Sequence, residues 1–113
     1  MKKELIAFII LILSMITSVY AGEDIFDRKI IDIGCHRDNG ICYVIVDGQS
    51  FGSSLGCPYG LTNQFRFDDA DSINGRRAYA SLYAAFLLGK SISVYLSGCT
   101  QQGAPLLQYF HVK

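Results

Sequence analysis

The chain has 113 residues, half of them apolar, and its ten Lys+Arg are balanced by ten Asp+Glu. No basic stripe is present to release counterions from phosphates, and no polybasic cluster to meet a membrane surface; nucleic acid and anionic lipid are therefore not expected partners. The length suffices for one small domain.

Lys2 and Lys3 form a short positive region, and residues 5–19 are nearly all apolar. Val19, Tyr20 and Ala21 then offer a small-residue cleavage site before Gly22. This is the pattern of a secretory signal peptide over residues 1–21. A single membrane anchor is the alternative, but the run is at the short end of the roughly 17–25 residues a spanning helix needs, and no positive cluster follows it. Position 22 is not a cysteine, which argues against a lipid anchor. Cleavage would leave a single secreted domain over residues 22–113, with eight Lys+Arg against nine Asp+Glu.

The four cysteines, Cys35, Cys42, Cys57 and Cys99, all lie in that part. An even count in a short exported chain reads as a disulfide framework, which also implies a secreted or periplasmic location. Zinc is the competing reading, with His36 beside Cys35, but the spacings fit no common zinc pattern. Residues 28–33 and 41–46 are rich in β-branched side chains and read as strands. Between them Arg37, Asp38, Asn39 and Gly40 are turn formers. A four-residue loop over 37–40 pairs His36 with Ile41 and Cys35 with Cys42, near disulfide reach. A two-residue turn at Asn39-Gly40 would instead oppose Arg37 and Cys42. The first register predicts a Cys35–Cys42 bridge and, by elimination, Cys57–Cys99.

Gly48-Gln49-Ser50-Phe51-Gly52 spells the G-x-S-x-G of a nucleophile elbow, and His111 follows in hydrolase order. The helix an elbow requires is missing, because Gly and Pro crowd residues 52–60. No other nucleophile–base pair or metal spacing emerges, so a non-enzymatic protein without a cofactor is expected. His111 sits among apolar strand residues and reads as structural.

Residues 63–67 read as a strand with Phe65 and Phe67 on one face. The acids that follow, Asp68, Asp69 and Asp71, lead to Ser72. They do not fit an EF-hand register, and the run reads as a helix cap rather than a calcium loop. Residues 76–88 then form an Ala/Leu-rich helix stopped by Gly89. Ala78, Leu82, Ala85 and Phe86 make its inner stripe. A helix apolar all round is buried all round, and so small a domain covers one face only. Ala80, Ala84, Leu87 and Leu88 on the other face therefore suggest a subunit interface. Residues 91–97 alternate, with Ile92, Val94 and Leu96 inward and Ser93 and Tyr95 outward. Residues 106–112 close the chain as a strand.

The order is strand, strand, loop, strand, helix, strand, strand. It predicts a mainly β, α+β domain: a small, disulfide-stapled, five-stranded OB-like barrel, with an open antiparallel sheet and one packed helix as the alternative. The segment RRAYASLYAAFLLGKSISVYLSGCTQQGAPLLQYFHV resembles the end of the pentameric B subunits of AB-type bacterial toxins, of the subtilase-cytotoxin and pertussis-like kinds. There too a helix, a strand, a loop and a final strand close a small secreted barrel, and Cys99 occupies a comparable place. The patterns GCH…G-C, FGSS-GC and GRRAYASL also look like those of short secreted bacterial proteins of undefined function. The toxin resemblance implies a ring-forming, glycan-binding module with the helix near the ring's centre. The resulting expectation is a secreted, non-enzymatic binding module, partnered by copies of itself and by a glycan or cell-surface receptor. Tyr59, Asn63, Tyr95 and Gln101 are its candidate ligand contacts. A monomeric periplasmic or secreted partner-binding or inhibitor protein is the alternative.

Overall fold

A computed structural model describes residues 21–113, so the signal-peptide assignment over residues 1–21 lies, but for its last residue, outside the described residues. The described chain forms strands β1 (Glu23–Cys35), β2 (Cys42–Val46) and β3 (Gln64–Phe67), helix α1 (Ile73–Leu88), and strands β4 (Ser91–Cys99) and β5 (Pro105–Val112). The strands close into a barrel in the order β1-β2-β3-β5-β4. Every neighbouring pair is antiparallel except β3 and β5, which meet in parallel where Arg66 opposes Leu106. This is the OB-like layout expected from the order of the elements.

The first hairpin has the expected register. Cys35 opposes Cys42, the His36 amide donates to the Ile41 carbonyl at 2.8 Å, and Gly40 takes the left-handed φ of 68° that the turn requires. Both predicted bridges are formed, Cys35–Cys42 and Cys57–Cys99. The bonds consume the thiols on which the zinc alternative depended.

β1 is longer than its residue types suggest. It starts at Glu23 rather than Arg28, because residues 23–25 pair with β4 before a bulge at Phe26 and Asp27. Ladder pairing outweighs the poor strand preference of Asp24, while Asp27 sits in the bulge with a left-handed φ of 55°. The bulge also corrects one orientation. Ser93 alternates outward from Ile92 and Val94, yet is only 3% exposed. The bulge folds over it, and the Asp27 amide donates to its Oγ at 3.1 Å.

The barrel is filled by Val44, Val46, Phe65, Phe67, Ile92 and Leu96, all buried, and α1 adds Leu82 and Ala85. Ser72 caps the helix, its Oγ accepting from the Gly75 amide at 3.0 Å. The cap brings the helix start forward to Ile73, three residues before Arg76. Gly89 ends it in the left-handed conformation. One face of α1 covers the barrel, and Phe86, expected on that face, is 37% exposed. Ala80, Ala84, Leu87 and Leu88 are all exposed, Leu87 by 64% and Leu88 by 71%.

Candidate functional site

Alternation on β2 and β3 sends Val44, Phe65 and Phe67 inward and leaves Tyr43, Ile45, Gln64 and Arg66 on the outer wall. The antiparallel register then sets Tyr43 beside Arg66 and Ile45 beside Gln64. The Arg66 guanidinium lies 5.9 Å from the Tyr43 ring centroid and 5.6 Å from that of Tyr59. Both separations are within cation–π range, so the side chain links two aromatic rings from different segments.

Two amides hold the guanidinium in plane. Arg66 Nη1 donates to Gln102 Oε1 at 3.2 Å. With its amide turned so that both ends are satisfied, the Gln64 oxygen accepts from Arg66 Nη2 at 2.8 Å. The Tyr43 ring has its place because β1 has a glycine opposite it: a Cβ at Gly34 would sit 2.7 Å from the Tyr43 hydroxyl. Tyr59 is delivered by the 52–60 loop. Its amide donates to the Gly103 carbonyl at 3.1 Å, and the Cys57–Cys99 bridge ties the same loop to the end of β4. Tyr59 is 40% exposed, and Gln101 and Gln102 in the β4–β5 turn are exposed beside it. The assembly is a partly wet aromatic platform with a fixed cation and amide groups at its edge. Stacking on a sugar or peptide plane, and hydrogen bonding to hydroxyls or carbonyls, are the chemistry it offers.

Of the four sequence-derived contacts, Tyr59 belongs to this platform and Gln101 adjoins it. Asn63 does not join it. It accepts from Ser50 Oγ at 3.0 Å and donates to the Gly48 carbonyl at 2.8 Å, pinning the turn after β2. Tyr95 lies on β4 against Gly22, which immediately precedes β1, in another part of the wall. Tyr43, Gln64, Arg66 and Gln102 are the residues that sequence reasoning missed. Their signal was present in the outward positions of two adjacent strands, but only the β2–β3 register unites them.

Ser50 is exposed, and its hydroxyl is engaged with Asn63. Turns rather than a helix follow it, so the nucleophile-elbow geometry is not formed. His111 stands on β5 with its ring 6.0 Å from that of Tyr109. At the other end of the 50–60 loop, the Glu23 carboxylate accepts from the Gly52 and Ser54 amides, both at 2.8 Å, and from Ser54 Oγ at 2.7 Å. Burial pushes its pKa up, but the bonds from the Ser54 hydroxyl, the Ser54 amide and the Gly52 amide outweigh that and hold it below the ordinary carboxylate value.

Compared with protein-family models, curated proteins and solved structures, the chain matches none of them. Nothing in those comparisons links it to AB-type toxin B subunits. Among the described residues, no helix is long and apolar enough to cross a membrane.

Proposed function

We propose that the protein is an exported, non-enzymatic binding module that recognises a glycan or cell-surface receptor through the outer face of β2 and β3. The observation that carries the reading is the Tyr43–Arg66–Tyr59 platform. It occupies the barrel face, flanked by the β4–β5 turn, on which barrels of this topology take up oligosaccharides and oligonucleotides. The chain's lack of a basic footprint favours the saccharide of those two. Aromatic rings beside a fixed guanidinium suit the apolar face and hydroxyl edge of a sugar. Two formed disulfides in so small a domain fit an extracellular or periplasmic compartment.

The module self-associates through the outer face of α1. Ala80, Ala84, Leu87 and Leu88 lie exposed there, an apolar surface that a second copy would cover. A ring of the toxin-B-subunit kind is the arrangement that the sequence resemblance implies.

A glycan array probed with the exported protein tests recognition, and sedimentation at micromolar concentration tests assembly. Saturable binding to a defined glycan class by an oligomer is expected. No binding to any glycan would overturn the saccharide reading, and a monomer would overturn the ring. A monomer that co-purifies with one periplasmic protein would favour the partner-binding alternative.

A further inference from the structure

The β1–β2 hairpin turn and the chain leading into α1 enclose an open cleft of about 340 Å³ that shares no residue with the Tyr43–Arg66–Tyr59 platform. Its size is that of a small-molecule site. The Cys35–Cys42 bridge, Gly40, Ala70 and Tyr79 supply apolar and ring surface. Arg37, Arg76 and Asp71 supply charge, with His36 alongside.

The cleft is held in shape. The Ala70 amide donates to the Gly40 carbonyl at 3.0 Å, clipping the hairpin turn to the helix approach. The disulfide spans the base of the same turn. Gly40 admits the acid, because a Cβ there would sit 2.8 Å from Asp71 Oδ2. Among the described residues the one ion pair is Lys113–Asp27. No direct ion pair ties Arg37, Arg76 and Asp71 to one another in the cleft.

A ligand that mirrors this set carries two negative groups and one positive group within a few bonds. Guanidinium forks match carboxylates in shape as well as charge, and a carboxylate accepts from an ammonium. We propose that the cleft binds an acidic α-amino acid, its two carboxylates on Arg37 and Arg76 and its ammonium on Asp71. The Tyr79 ring and the disulfide cover the short aliphatic stem. The site is independent of glycan recognition by the platform.

The test is an amide-shift titration of the disulfide-intact, isotope-labelled protein with L-glutamate, glutarate and L-lysine. L-glutamate is expected to shift the amides of Gly40, Ala70 and Tyr79 saturably. Arg37→Ala and Arg76→Ala, both at exposed positions, should each weaken it about tenfold or more. Glutarate has both carboxylates but no ammonium and should bind several-fold more weakly; Asp71→Asn should erase that difference. Equal binding of glutarate and L-glutamate to the unaltered protein would overturn the proposal, as would L-lysine shifting these amides as strongly. So would L-glutamate leaving them unmoved at ~10 mM, or shifting only residues around Arg66.

Discussion

Removing the Cys57–Cys99 bridge should cost more stability than removing Cys35–Cys42, although both are single covalent bonds. A cross-link acts mainly on the unfolded chain, where it forbids conformations in proportion to the loop it closes. Cys57 and Cys99 are 42 positions apart, which gives roughly 3.9 kcal/mol at 25 °C from the loop-closure expression. Cys35 and Cys42 are 7 apart, which gives about 2.4 kcal/mol. For a domain of this size those values correspond to losses of roughly 20 and 12 °C in Tm. The double variants Cys57→Ala/Cys99→Ala and Cys35→Ala/Cys42→Ala should be unfolded in urea and by heat, each with the other bridge intact. The first should lose about 1.5 kcal/mol more than the second. A Cys35/Cys42 variant that loses as much as the Cys57/Cys99 variant would refute the reasoning. It would mean that the hairpin bridge holds native geometry, not chain entropy. The long bridge also ties down the loop that carries Tyr59, so its loss should weaken ligand binding as well as the fold.

Other consequences follow from single contacts. Phe65 is fully buried at the barrel centre, so Phe65→Ala should cost about 3–5 kcal/mol by urea titration, enough to unfold much of the protein. Ser72→Ala removes the acceptor for the Gly75 amide and should cost about 1 kcal/mol, read as a lower urea midpoint with an unchanged slope. Glu23 has a folded pKa below its ordinary value. Its contribution is therefore complete above the unfolded pKa and is lost as pH falls through the folded one. The stability difference between the unaltered protein and Glu23→Gln should be constant near neutrality and shrink as pH drops below about 4.5; a difference that grew on acidification would contradict the Glu23 contacts. Gly34→Ala should displace the Tyr43 ring, which approaches to 2.7 Å of the added carbon. It should reduce ligand affinity more than it lowers the urea midpoint.

The parts of the fold that local chemistry decides were readable before the structure. Asn39 and Gly40 fix a turn, the turn fixes the register, and the register sets Cys35 opposite Cys42. Gly89 stops the helix for the same kind of reason. What depended on distant partners was not readable. Glu23 and Asp24 look like loop residues until β4 pairs with them. Ser93 looks exposed until the β1 bulge covers it. The platform is the strongest instance: Tyr59 lies 7 positions before Arg66 and Gln102 lies 36 after it. The Cys57–Cys99 bridge and the β3–β5 contact bring them together. Asn63 and Tyr59 both look like ligand contacts in the sequence, and only their partners separate a turn support from a platform ring.

Arg66 joins the two rings of the platform, so one glycan array should be probed with the unaltered protein and with Arg66→Ala. The guanidinium is partly exposed and outside the core, so the variant should melt close to the unaltered protein. Binding of the unaltered protein to a defined glycan class, lost by about tenfold or more in Arg66→Ala, is the predicted result. Equal signals from the two proteins would contradict the claim that the Tyr43–Arg66–Tyr59 platform is where this molecule meets its ligand.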